Sequence, residues 1–417
     1  MHLKGSKVLI PSNLIYFYLV LLSFTVGIGN LHHMRSKSLT LLLTFALAST
    51  GLSAAHAATP DCLFGGQVRN ISGQKSSCMV INGSPVWFSF KKRTEDKLTA
   101  YEKTKLKAYK EIRNAAAGKT LKNIELKYVI SKHLPAQLRT EYTRQTEQAS
   151  RLYDQFFTRS VVINNYFQTE KDAAFIKNHP VLKRDSQSYQ RWYENWPKGK
   201  EIEHNAGLAA WFFKSGVKSE GHTGVLTASN ASMARLRLYS QQVVAHEYFH
   251  VVQDFYKQSR DEIGYDGITE FDNYYPPIFR EGSANTIATA ISMDSFEDYL
   301  LFYQVFLSQN KGIYAPKIFS RINNLPNTIA LLKDIQIKKT LDSENHEASY
   351  SVGALVFEWV IAEYGFAGYK RLVENQLIGD SFADNLKASL GLTLDQLYKA
   401  SAPHVLAGFA AAKGSTR

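Results

Sequence analysis

Residues 243–255 read VVAHEYFHVVQDF, which sets His246, Glu247 and His250 among valines and aromatics. On an α-helix, positions i and i+4 lie one turn apart on one face. His246 and His250 can therefore aim two ring nitrogens at a single ion, with Glu247 beside them. At this H-E-x-x-H spacing the chemistry expected is metal-assisted hydrolysis, in which the histidines bind zinc and the glutamate takes a proton from water. The plain alternative is a core helix whose histidines are satisfied by hydrogen bonds.

A catalytic zinc takes three protein ligands and keeps one position for water, so a third ligand is required. Six residues beyond His250 stands Tyr256 rather than a histidine, which points to a carboxylate. Glu281, in FREGSANTIA, is the leading candidate because it opens a helix, where a ligand is held more rigidly than on a loop. Asp261, Glu262, Asp266, Glu270 and Asp272 compete from the intervening segment. That acidic segment does not match the Asp-x-Asp-x-Asp-Gly spacing of a calcium loop and reads as a solvated loop or a cleft rim. Metal-bound histidines are usually oriented by a further polar group, and Asn285, one turn beyond Glu281, is the candidate for it, the alternative being a plain asparagine on the helix surface. The charge that develops on a substrate oxygen needs a donor. Tyr350 and His346, one turn apart in EASYSVGALVF, are the candidates. Tyr350 is preferred, because Gly353 on the same face would let its helix approach the active-site helix closely, the alternative being a tyrosine packed in the core with its hydroxyl satisfied.

Several elements must position these residues. Residues 58–92 read as β-rich, with Asn82-Gly83 as a hairpin turn between CMVI and PVWFSF. Residues 95–157 switch to charged, helix-forming sequence, with Pro135 near the start of a second helix, and read as a support or a propeptide-like extension. SVVINNYFQ, NAGLAAWFF and HTGVLTAS read as strands leading to the HEYFH helix. Pro277 opens the next helix near its first position, and Gly365 is a natural stop for the helix EASYSVGALVFEWVIAEYG. The expectation is an α+β fold, a small mixed sheet packed on the active-site helix with a mainly helical C-terminal half. Its parts are a targeting region at 1–57, a hairpin and helical extension at 58–157, a catalytic region at 158–335 and a helical region at 336–417.

With 417 residues, 45% of them hydrophobic, the chain can bury a large core and is no disordered segment. Translation is expected to begin at Met34, because Arg35 and Lys37, the apolar run 39–48 and Ala55-His56-Ala57 have the layout of a secretory signal cleaved after Ala57. The rival, a membrane anchor at 15–29, is short for a span of roughly 20 residues. Either way the chain is expected outside the cytoplasm, periplasmic or secreted. Residues 1–57 hold four of the net +12 charges, leaving +8. That charge suits an anionic envelope surface or an acidic substrate, the plainer reading being solvated surface charge, and no aromatic-basic cluster marks a nucleic-acid face. The two cysteines, Cys62 and Cys78, are expected to pair in an oxidising compartment.

HEYFH, PPIFREGSA and YSVGALVFEWVIAEYG together resemble the gluzincin metallopeptidases, and within them the peptidase MA-like proteins, over roughly residues 160–370. The resemblance implies a zincin-like fold, one zinc on His246, His250 and Glu281, and Glu247 as general base. It also implies a substrate-binding edge strand at Gly207, Leu208 and Ala209, where Gly207 allows close backbone approach to an extended peptide. The Gly-x-Met-Glu-Asn motif of related aminopeptidases is absent, so nothing supports amino-terminal exopeptidase activity. The expected function is an exported zinc metallopeptidase acting on peptides or proteins. The alternatives are a catalytically silent binding module of the same fold and a zinc hydrolase of a non-peptide envelope amide.

Overall fold

The computed structural model describes residues 68–71, 74–81, 84–89, 94–179, 209–215, 218–231, 242–261, 276–309, 318, 320–337, 343–375 and 381–414. They fall in one compact unit, Pro60–Arg417. The expectations for a start at Met34, a signal and its cleavage site lie outside the described residues.

The elements run β1 (Val68–Ile71), β2 (Gln74–Ile81), β3 (Ser84–Ser89), α1 (Ala100–Ala116), β4 (Ile124–Ile130), α2 (Ala136–Tyr153), β5 (Val161–Thr169), α3 (Ala173–Asn178), β6 (Ala209–Ser215), β7 (Lys218–Thr227), α4 (Val243–Asp261), α5 (Pro277–Ser292), α6 (Phe296–Gln309), α7 (Leu325–Ile337), α8 (Ser343–Glu374), α9 (Phe382–Leu390) and α10 (Leu394–Gly414). The first three strands form an antiparallel meander. Ile81 pairs with Ser84, so Asn82-Gly83 is the two-residue link its sequence calls for. Cys78 sits opposite Trp87 in this meander, while Cys62 lies outside the described residues and the expected disulfide with it.

The second sheet has the order β4-β5-β7-β6, with β4, β5 and β7 parallel and β6 antiparallel at one edge. Strand β4 corrects the helical reading of 95–157. IELKYVI carries the apolar–polar alternation and β-branched residues of a strand, a short signal hidden between charged helices, and its partner strand lies far along the chain. It runs in register with β5 from Ile124↔Val161 to Ile130↔Phe167. Its entry is fixed by Asp154, beyond α2, whose Oδ1 accepts the N–H groups of Lys122, Asn123 and Ile124 at 3.0, 2.8 and 3.0 Å. Helix α4 packs on β6 and β7. Leu138 and Tyr142 of α2, Phe167, Val225, Val243 and Val244 form the apolar contact between sheet and helices.

The C-terminal half is helical, built around α5. Every residue of α5 except Arg280 is buried, so its polar side chains must find partners inside the protein. Pro277 occupies its first turn, as its missing N–H favours. Helix α8 crosses α5 glycine on glycine. A Cβ at Gly282 would lie 2.4 Å from the carbonyl carbon of Gly353, and one at Gly353 would lie 2.7 Å from the Ile278 oxygen. Gly353 thus brings α8 against α5, not against the HEYFH helix as its spacing alone led us to expect. Gly365 interrupts α8 at φ +68°, the left-handed stop read from sequence, and the chain turns helical again directly after it. Glu111 of α1 accepts the N–H of Phe366 across that break, at 3.1 Å.

A buried ion pair joins α1 to α8. Lys105 Nζ meets the two Glu358 oxygens at 2.6 and 2.9 Å. The carboxylate also accepts from Tyr299 at 2.5 Å and lies 2.7 Å from His404 Nε2, while the ammonium lies 3.4 Å from the Tyr303 ring centroid. Burial pushes the Lys105 ammonium down to about 8, with Glu358 pulling the other way. With Ala108, Tyr109 and Ile112 in the main core, α1 is a structural support of the helix that carries Tyr350. Among the described residues, no helix is long and apolar enough to cross a membrane.

Candidate metal centre

Helix α4 buries Val243, Val244, Ala245, Tyr248, Phe249, Val251 and Val252 and turns the Nε2 atoms of His246 and His250 toward α5. The start of α5 delivers Glu281 to them. Its Oε2 lies 3.4 Å from His246 Nε2 and 3.3 Å from His250 Nε2, and the two imidazole nitrogens are 3.1 Å apart. These three buried or half-buried groups could hold a metal ion. Their donor chemistry fits one, because two imidazole nitrogens and a carboxylate oxygen converge where Glu281 Oε2 has no hydrogen-bond partner. Of the competing carboxylates, Glu262, Asp266, Glu270 and Asp272 lie outside the described residues, and so does the side chain of Asp261.

Electrostatics separates the two glutamates. Burial alone would raise the Glu281 carboxyl, yet the charge on His250 and the close approach of both rings hold it well below the usual carboxylate range. Burial likewise opposes charge on His250, but Glu281, then Glu247 and Gln253, push it up to about 9. For Glu247 burial wins and the carboxyl rises, with Glu281 adding to the effect and the histidines opposing it. One carboxylate is therefore held as an anion, and its neighbour is made more basic, as a proton acceptor requires.

The Tyr350 ring is stacked on His246 at 5.7 Å between centroids and 22° between planes. Burial and the charges of Glu281 and Glu247 push its phenol well up, which keeps it a neutral donor. The side chain of the rival, His346, lies outside the described residues.

Among the described residues Asn285 makes no hydrogen bond to either histidine, contrary to expectation. One turn along the buried face of α5, it donates to the Tyr350 carbonyl at 3.1 Å and accepts from Gln242 at 3.0 Å. Gln242, just ahead of α4, also accepts from Thr289. This chain ties α4, α5 and α8 together and positions Tyr350 through its backbone. The group that meets a ring nitrogen is Gln253, whose Oε1 lies 2.7 Å from His250 Nδ1. Its i+3 spacing from His250 was the signal available in the sequence. Arg280 was also missed. Its Nε donates to Glu281 Oε1 at 3.0 Å, leaving Oε2 turned toward the histidines.

Ala209 is the first residue of the edge strand β6 and pairs with Gly224. Gly207 and Leu208 lie outside the described residues. Compared with protein-family models, curated proteins and solved structures, the chain matches none.

Proposed function

We propose that the protein is an exported zinc metallopeptidase of zincin-like fold, in keeping with its resemblance to the gluzincins. The observation that carries this reading is the convergence of His246, His250 and Glu281 beside a carboxyl made more basic, Glu247. Two histidines and one glutamate are a ligand set of catalytic zinc, which keeps a fourth position open. A tetrahedral ion with bonds of about 2.0–2.1 Å needs donor atoms roughly 3.3–3.4 Å apart. The separations of 3.1, 3.3 and 3.4 Å are close to that.

When bound, zinc supplies Lewis acidity that polarises a carbonyl and acidifies water. The chain's own groups do the rest. Glu247 removes a proton from the attacking water as its oxygen bonds to the scissile carbon, then gives that proton to the leaving amine as the C–N bond breaks. The Tyr350 hydroxyl donates to the carbonyl oxygen as charge builds there. Strand β6, at the edge of its sheet among the described residues, would receive an extended peptide. The intact Glu247 speaks against a silent binding module, because binding alone needs no base.

Digestion of a peptide library with and without chelator tests the reading, with Glu247→Gln as the companion variant. Cleavage that stops on zinc removal and resumes on its return is expected, and the zinc-loaded glutamine variant should be inactive. Normal hydrolysis by that variant would refute the mechanism.

A further inference from the structure

The two metal-facing histidines are not equivalent in their surroundings. His246 Nδ1 is buried with no hydrogen-bond partner among the described residues. His250 Nδ1 has one, the amide of Gln253, which is 1% exposed. The other end of that amide lies 3.1 Å from the carbonyl oxygen of Arg280, the residue directly before Glu281.

The chemistry of these groups fixes the hydrogens of the amide and of His250 Nδ1. A peptide carbonyl can only accept, so the end of the Gln253 amide that meets Arg280 must be its NH2. The end that meets His250 is then the amide oxygen, which also can only accept, so His250 Nδ1 must carry a hydrogen. An imidazole that binds a metal while its Nδ1 keeps that hydrogen must bind through Nε2. Nε2 is the atom that lies 3.3 Å from Glu281 Oε2 and 3.1 Å from His246 Nε2. One buried amide thus selects the coordinating nitrogen of one ligand and holds the backbone beside another.

We infer that Gln253 is the positioning residue of the metal centre, locking His250 into its Nδ1–H form and tying α4 to the Glu281 end of α5. This rests on the zinc reading above. Asn285 cannot substitute, since both ends of its amide are engaged by Gln242 and the Tyr350 carbonyl. Gln253 is the one side chain outside the ligand set that bonds a ring nitrogen of either histidine among the described residues.

The test uses the full chain, with zinc affinity read by competition against a chromophoric chelator and the histidine hydrogens read by 15N NMR of the zinc-loaded protein. Gln253→Leu should weaken zinc binding by about 10- to 100-fold and remove the slowly exchanging Nδ1–H signal of His250. Gln253→Glu keeps the acceptor for His250 but loses the donor to Arg280. It should retain that signal while binding zinc more weakly than wild type and more tightly than the leucine variant. If the leucine variant does not fold, the near-isosteric glutamate variant carries the test. Zinc affinity within threefold of wild type in Gln253→Leu, or loss of the Nδ1–H signal in Gln253→Glu, would overturn the inference while leaving the zinc reading intact. A folded wild-type chain that takes up no zinc would overturn both.

Discussion

Replacing Gly282 with alanine perturbs the crossing of α5 and α8 at its tightest point. The new Cβ would lie 2.4 and 2.5 Å from the Gly353 carbonyl carbon and Cα and 2.8 Å from its oxygen, whereas ordinary contact begins at 3.4 Å. All three are backbone atoms, so no rotamer change relieves the clash and the helices must part by about 1 Å. Helix propensity favours alanine over glycine by about 1 kcal/mol, but overpacking costs typically about 1–3 kcal/mol. Parting the helices also stretches the 2.7 Å bond from Thr286 to the Ala354 carbonyl, worth about 1 kcal/mol. With the clash entirely against backbone, we take the upper end of that range and expect a net loss of about 2–3 kcal/mol in denaturant unfolding. The Gln253–Arg280 and Gln242–Asn285 bonds pin α5 to α4, so α8 is the helix that gives. Tyr350, three residues from Gly353, then moves relative to His246. A shift of about 1 Å at a reacting group can lower turnover by on the order of 100-fold, while zinc affinity should stay within a few fold. Gly353→Ala meets milder contacts, 2.7 Å to the Ile278 oxygen and 2.9 Å to the Gly282 Cα, and should rank below it in both effects. A Gly282→Ala protein that is more stable than wild type, with unchanged kcat, would refute the reasoning.

Two further outcomes are expected. Tyr350→Phe should keep fold and zinc while kcat falls about 10- to 1000-fold at nearly constant KM; unchanged kcat would remove the phenol from the mechanism. His222, 2% exposed between Tyr166 and Glu220, is pushed down to about 4, chiefly by burial and then by His179. Because the unfolded chain binds its proton at higher pH than the folded one, stability is full above about pH 6.5 and drains away as pH falls toward 4. The total is on the order of 3 kcal/mol. Urea unfolding across that window should show a shallower pH slope for His222→Phe, and identical slopes would contradict this account.

Much of the architecture is written locally. The hairpin at Asn82-Gly83, the opening of α5 at Pro277 and the break at Gly365 each follow from what one or two residues permit their own backbone. Strand β4 is written locally too, since IELKYVI alternates apolar and polar residues, but its charged flanks hide it and its pairing partner lies more than thirty residues away.

The same division runs through the site. Sequence by itself determined that His246, Glu247 and His250 share a helix face, because 3.6-residue periodicity is a property of the local chain. It also named Glu281 and Tyr350, by residue type and by the helices they open, without fixing what they touch. Only the tertiary structure decided that Asn285 serves Tyr350 rather than a histidine, and that Gln253 reaches both His250 and the Arg280 carbonyl. It alone decided that Gly353 seats α8 on Gly282. These facts depend on how α4, α5 and α8 cross, and a crossing is set by side-chain volumes and buried hydrogen bonds contributed by segments up to a hundred residues apart, which no local window of sequence contains.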